Sequence, residues 1–172
     1  YFADKVIMVE GTTERLLMPR LRELVDKSLP EHQKLASQYV TCIEAGGAHA
    51  HLFYPLLDFL ELKTLVVTDL DSIKKVEKEN NKKKKINVWE KCPVAEGTRT
   101  CNTAIRYWFA PKDIKKIEDF HLSPVELLAK TPTDKQVSCR RIAYQIPEDP
   151  NTDVCARSYE DALILANLKD FT

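Results

Sequence analysis

The sequence predicts an α/β fold: a mainly parallel central sheet of about four strands flanked by helices. Three observations carry this prediction. Short apolar runs at residues 5–10, 38–44 and 63–68 alternate with stretches whose apolar residues recur at helical spacing. The links between them are short, so successive strands pair in parallel through right-handed crossovers. Three of the only four glycines (Gly11, Gly46 and Gly47, with Gly97 the fourth) directly follow strand-like runs, where a backbone must turn sharply.

The elements follow in order. KVIMVE at 5–10 suits a strand buried on both faces. Gly11-Thr12-Thr13 opens a helix with Leu17, Leu21, Leu24 and Val25 at core spacing, and Pro19 inside it predicts a kink or a later start. QYVTCIE at 38–44 is the second strand and ends on Ala45-Gly46-Gly47. Residues 49–62 form a helix with Phe53, Leu56, Leu57 and Leu60 on one face. KTLVVT at 63–68 is the third strand, ending on Asp69-Leu70-Asp71-Ser72. Residues 74–85 hold seven lysines against Glu77 and Glu79 and read as a solvated loop or a phosphate-contacting edge. Residues 103–109 form a short helix, and residues 111–130 one or two more, the second capped by Ser123 with Pro124 at its first position. Residues 137–145 supply a further strand, and Ser158 starts a final helix with Tyr159, Ala162, Leu163 and Ala166 on one face.

At 172 residues with 44% hydrophobic and 30% charged residues, the chain is long enough to bury a core without staples. It is expected to be one domain over 1–172, with a core near 4–72 and 137–168 and a lysine-rich, helical insertion near 73–136. It starts at Tyr1, almost on a strand, which reads as a domain cut from a longer protein. Lys+Arg and Asp+Glu both number 26, so net charge selects no partner class. No apolar run approaches the ~20 residues of a membrane helix, and no signal peptide precedes the first strand. Cys42, Cys92, Cys101, Cys139 and Cys155 contain no Cys-x-x-Cys pair, so reduced, partly buried thiols in a cytoplasmic protein are expected.

Ligands bind at the carboxyl ends of strands in an open parallel sheet. Glu10 closes the first strand and Glu14 lies in the first turn of the helix after it. Asp69 and Asp71 close the third, and in extended chain they face the same way about 6.6 Å apart. Neighbouring first and third strands, about 4.8 Å apart, would bring Glu10 toward Asp69. Four carboxylates in one pocket repel unless a cation sits among them, and hard divalent ions such as Mg²⁺ or Mn²⁺ fit that need. Alone, Glu14 reads equally as an acid complementing the helix dipole. His49 and His51 read as loop and helix-start residues rather than ligands.

V-E-G-x-x-E after a first strand, followed by a later strand ending D-x-D, resembles the Toprim fold of topoisomerases, bacterial primases and a group of nucleases. VEGTTERLLMP, IEAGGAHAHLFYPLLDFL, LVVTDLDS and ARSYEDALILAN are most similar to the Toprim half of the OLD (overcoming lysogenization defect) nucleases; TCNTAIRYWF is familiar as well. The resemblance implies a Rossmann-like Toprim domain behind an N-terminal ABC-type ATPase. No P-loop motif occurs in these residues. It makes Glu10, Glu14, Asp69 and Asp71 metal ligands, adds Glu160 from the last helix, and gives Glu10 and Asp69 the catalytic roles. Ser158 and Asp161 can form a capping box, which leaves Glu160 to point elsewhere. Gly11, Gly46, Gly47 and Ser72 would support the ligands, although Ser72 also reads as a helix cap. The implied function is DNA nicking or cleavage by two-metal phosphodiester hydrolysis with Mg²⁺ or Mn²⁺, and Ca²⁺ as an inert or structural substitute. DNA would be gripped through its backbone by Lys82, Lys83, Lys84 and Lys85, in a homodimer or higher oligomer serving DNA repair or phage defence. A catalytic lysine downstream of the acidic helix is also implied. Lys169 is too close to that helix, so the lysine is expected beyond Thr172. The alternatives are a topoisomerase, a primase, a degenerate DNA-binding Toprim module and, more remotely, a haloacid-dehalogenase-like phosphatase.

Overall fold

The computed structural model describes residues 3–149, 151–152 and 154–171, with residues 170 and 171 described by backbone alone. The chain divides into two compact units, Tyr1–Thr68 with Thr131–Ala143, and Asp69–Lys130 with Tyr144–Thr172.

The first unit holds a five-stranded sheet. Strands β1 (Lys5–Val9), β2 (Val40–Glu44), β3 (Lys63–Val67) and β8 (Arg140–Ala143) run parallel, and the two-residue β7 (Gln136–Val137) adds an antiparallel edge, in the order β2-β1-β3-β8-β7. Central β1 is an unbroken apolar run because both its faces are covered: Val6, Ile7, Met8 and Val9 are all buried. Ile7, Val9 and Met18 form one core cluster, with Val40, Cys42, Leu65 and Val67 packed against it. Met18 comes from α1 (Thr12–Asp26), which begins at Thr12 and runs unbroken through Pro19. The later start is therefore corrected: the amide missing at Pro19 falls on an exposed position, and packing along the helix outweighs one hydrogen bond. The buried face of α1 is set by Glu14, Met18 and Asp26, while Leu24 and Val25 remain nearly half exposed, contrary to the leucine face expected.

After β2, a single 3₁₀ turn over Ala50–Phe53 leads into α2 (Tyr54–Phe59). This replaces one long helix, and its buried face is Tyr54 and Leu57. Phe53, Leu56 and Leu60 are exposed, because helical spacing marks a stripe without saying how the helix is rolled. Asp58 on α2 accepts from Nε and Nη2 of Arg140 on β8, at 2.6 and 2.8 Å, and the guanidinium lies 4.3 Å from the centre of the Tyr54 ring.

The second unit contains β4 (Ser72–Glu79), β5 (Lys85–Lys91) and β6 (Arg99–Thr100) in an antiparallel sheet of order β5-β4-β6. The lysine-rich stretch is thus a β-hairpin rather than a loop. Val76 of β4 pairs with Val88 of β5, and Ile86 lies on the same side, so an apolar stripe lies beneath the charge. Asn80 builds the turn. Its side chain accepts from the amides of Lys82 and Lys84 at 2.9 and 3.0 Å, and Lys83 takes the left-handed conformation at φ 53°. Helix α3 (Thr103–Phe109) forms where expected, capped by fully buried Asn102, and packs through Ala104, Ile105 and Trp108. Helix α4 (Pro124–Leu128) carries a full capping box between Ser123 and Glu126. Helix α5 (Tyr159–Ala166) is capped by Ser158, and α6 (Leu168–Phe171) follows. All five cysteines are free, but Cys101 and Cys139 are exposed rather than partly buried.

Candidate functional site

In the first unit, the carboxyl ends of the parallel strands gather Glu10, Glu14, Thr68 and the glycine turn after β2. Glu10 follows β1, and its carboxylate accepts from the hydroxyl of Thr68, which is 3% exposed at the end of β3. The first and third strands are neighbours, as the convergence argument required, with Met8 beside Val66. The Thr68 amide donates to the Ala143 carbonyl at 3.0 Å, so the group holding Glu10 is itself fixed by the sheet. Gly46 and Gly47 adopt φ of 73° and 90°, which a Cβ would strain, and the Gly47 amide returns to the Glu10 carbonyl at 2.7 Å.

Glu14 is 7% exposed, and its carboxylate makes no hydrogen bond or ion pair among the described residues. It folds back over the start of α1. A Cβ on Gly11 would lie 3.2 Å from Glu14 Oε2, so glycine leaves room for that carboxylate. Beside it, Glu44 at the end of β2 accepts from Thr12 Oγ1 at 3.1 Å and Arg15 Nε at 3.1 Å. Burial pushes the Tyr54 phenol well above its usual range, Arg140 opposing the shift and Glu10 adding to it. His49 caps the 3₁₀ turn and His51 lies within it, the Nδ1 of His51 3.3 Å from the Ala48 carbonyl, which matches their reading as loop and helix-start residues. Burial lowers the pKa of His51. A cavity of about 680 Å³ lies at the opposite, amino ends of the strands, lined by Lys5, Val40, Lys63 and Arg140 among others, and is remote from these acids along the strands.

In the second unit, Asp69 and Asp71 are held by residues distant in sequence. Asp69 Oδ1 accepts from Gln145 Nε2 at 2.6 Å, while Gln145 Oε1 takes the Leu70 amide at 2.8 Å. Asp71 Oδ1 accepts from Arg157 Nη2 at 2.6 Å, and the Asp71 amide donates to the Arg157 carbonyl at 3.1 Å. The extended geometry expected for this pair does not hold. Strand β3 stops at Val67, and Asp71 sits in the left-handed region at φ 48°. Ser72 is not a helix cap: fully buried at the start of β4, its hydroxyl donates to the Cys92 carbonyl at 2.5 Å. Cys101 donates its amide to the Asp71 carbonyl at 3.0 Å.

Glu160 lies exposed in the first turn of α5. Ser158 accepts from the Asp161 amide at 3.3 Å, so the cap uses Asp161 and not Glu160. Lys82, Lys83, Lys84 and Lys85 are all exposed on the hairpin, Lys85 pairing with Glu77 at 2.6 Å. Lys169 is exposed on α6. Among the described residues, no three histidine, cysteine or carboxylate side chains stand together as a bound ion requires. Sequence reasoning missed Thr68, Gln145 and Arg157. Thr68 and Arg157 stood inside the LVVTDLDS and ARSYEDALILAN stretches, and Gln145 carried no local signal.

Residues 1–71 match the family model described as overcoming lysogenization defect protein-like, TOPRIM domain. The chain is 29% identical over 170 residues to Endonuclease GajA of Bacillus cereus (strain HuB5-5), an alignment covering 99% of this chain and 21% of that protein. The chain therefore spans about a fifth of the length of this relative. No solved structure matches it. No helix among the described residues is long and apolar enough to cross a membrane. The parallel sheet flanked by helices is consistent with a Toprim fold, and residues 1–71 are similar to the TOPRIM domain of overcoming-lysogenization-defect-like proteins.

Proposed function

We propose that this chain is the metal-binding, catalytic part of a DNA endonuclease that hydrolyses phosphodiester bonds. One observation carries the reading: Glu14, 7% exposed and without a hydrogen bond or ion pair among the described residues, directly follows a strand whose last acid, Glu10, is held in place by Thr68. A carboxylate that makes no ion pair, close in sequence to a second acid, favours a cation between them. The donor set of Glu10, Glu14, Asp69, Asp71 and Glu160 is all carboxylate oxygen, which suits Mg²⁺ or Mn²⁺. The relative's designation as an endonuclease, and the TOPRIM match over residues 1–71, support the same class of chemistry.

When bound, two such ions would activate a water and neutralise charge on the scissile phosphate. The chain's own residues supply position. Thr68 holds the Glu10 carboxylate, and Gln145 and Arg157 fix Asp69 and Asp71. Arg157 also offsets the charge of Asp71. Glu160, on an exposed first turn, retains the most freedom to turn toward a ligand. Lys82 to Lys85 would hold DNA through its phosphates. In the whole protein, the domain over 1–172 would act beside an ATPase domain of the same polypeptide, in a cytoplasmic homodimer or higher oligomer, with the downstream lysine supplied from beyond Thr172.

The test uses the full-length protein and supercoiled plasmid. Glu10→Gln and Asp69→Asn should each abolish nicking, while millimolar Mn²⁺ should raise the wild-type melting temperature by mass action. In a phosphatase using Asp69 as nucleophile, Glu10→Gln would leave phosphomonoester turnover nearly intact. Normal nicking with glutamine at position 10, or a melting temperature indifferent to Mn²⁺, overturns the assignment.

A further inference from the structure

The three-stranded sheet has two faces of different character, and the register separates them. Directly opposed residues of an antiparallel pair project from the same side. Ile73, Lys75, Glu77 and Glu79 of β4 therefore share one face with Lys91, Trp89, Asn87 and Lys85 of β5, and Arg99 of β6 joins them opposite Ile73. Lys74, Val76 and Lys78 lie on the other face with Glu90, Val88 and Ile86. On that second face the lysines are neutralised in place, Lys74 by Glu96 and Lys78 by Glu90.

The first face is built differently. Trp89 on edge strand β5 lies across from Lys75 and is 42% exposed, a large aromatic surface left in water. Arg99 reaches across the central strand and stacks on it, its guanidinium carbon 3.4 Å from the ring centroid, and Arg99 Nη1 stands 3.3 Å from His121 Nε2. Ile73 is 7% exposed on this face. The indole is thus held by a stacked cation, and little rotamer freedom remains to be lost when something binds it. Lys75 and Lys91 flank it, and neither makes an ion pair among the described residues. The acids on this face lie toward the turn: Glu77 is paired with Lys85, and Glu79 stands opposite that same lysine. Beyond them, Lys82, Lys83 and Lys84 continue the positive charge around the hairpin tip.

We propose that this face of the sheet binds single-stranded DNA, with a base stacked on Trp89 and backbone phosphates on Lys75 and Lys91. Aromatic surface beside unpaired cations is how single strands are gripped without sequence preference, because every base presents a π-face and every nucleotide a phosphate. In a duplex the base faces are already stacked and cannot reach an indole, so the occupant is unpaired. The choice of DNA rests on the proposed nuclease reading; the stacking and the charge pattern do not.

The experiment measures binding of the full-length protein to fluorescein-labelled dT15, a duplex of the same length and U15, by anisotropy across a salt series in EDTA. Wild type should bind dT15 more tightly than duplex. Trp89→Ala should weaken dT15 binding about tenfold and leave duplex binding nearly unchanged, and Trp89→Tyr should restore most of the affinity. The double substitution Lys75→Gln with Lys91→Gln should flatten the log–log salt slope by about 1.4 units, two single-strand phosphate contacts. Undiminished dT15 binding by Trp89→Ala, equal losses for Ala and Tyr at that position, or tighter binding of U15 than of dT15 overturns the proposal. Hydrolysis is absent in EDTA, so normal nicking by Glu10→Gln would remove the nuclease reading while leaving a Trp89 effect standing.

Discussion

The pair between Asp58 and Arg140 joins α2 to β8 and offers a stability test worked directly from geometry. Both oxygens of Asp58 are engaged, at 2.6 and 2.8 Å, and the side-chain exposures are 7% for Arg140 and 38% for Asp58. Removing one member of a fully buried pair costs about 3–5 kcal/mol, because the survivor is left charged and dry. Here two features reduce that figure. Water reaches Asp58, and the Tyr54 ring, 4.3 Å away, still supports the guanidinium by a cation–π contact of about 0.5–2 kcal/mol. Asp58→Ala should therefore cost about 2–3 kcal/mol, or about 5–10 °C in melting temperature for a chain of this size. Asp58→Asn, which keeps an acceptor, should cost less. Adding Arg140→Met to Asp58→Ala should recover part of the loss, since no charge then remains buried. Urea titration followed by circular dichroism measures these four proteins and the Arg140→Met single variant, which completes the cycle. A loss below about 0.5 kcal/mol for Asp58→Ala, or a double variant whose loss equals the sum of the singles, would refute the reasoning.

Two further outcomes follow from the hairpin and from α4. Replacing Lys82 to Lys85 with Ser should weaken duplex DNA binding and flatten its salt dependence by about 0.9 unit of slope per lost phosphate contact; an unchanged slope returns these lysines to solvent. In α4, hydrogen bonds from the Ser123 amide and hydroxyl hold the Glu126 carboxyl below its ordinary value of 4.5. A depressed carboxyl stabilises the folded state above its unfolded value, and that contribution is lost as pH falls through the folded value. Glu126→Gln should therefore cost about 0.5 kcal/mol at pH 7, and the difference from wild type should shrink steadily below about pH 4. A difference that stays constant from pH 7 to pH 3 contradicts the cap.

Local periodicity was enough to read the elements of the parallel sheet. The runs 5–10, 38–44 and 63–68 became β1, β2 and β3, residues 103–109 became α3, and Ser123 and Ser158 capped the helices they were expected to cap. These are short-range effects, in which a residue's partner lies within four positions, and one sequence contains them in full. The candidate acids Glu10, Glu14, Asp69 and Asp71 were legible for the same reason, each sitting beside a strand end or a glycine. What surrounds them was not. Asp69 meets Gln145 across 76 positions and Asp71 meets Arg157 across 86, and no local pattern announces such a pair. The roll of α2 toward Tyr54 and Leu57, the burial of Glu14 without a partner, and the seating of Ser72 against Cys92 were likewise decided by packing. The hairpin lay between the two cases. Its lysines and scattered apolar residues were visible in the sequence, but only pairing across the strands sorted them. One face has neutralising glutamates, and the other sets Trp89 beside Lys75, because antiparallel register alone determines which side chains share a side.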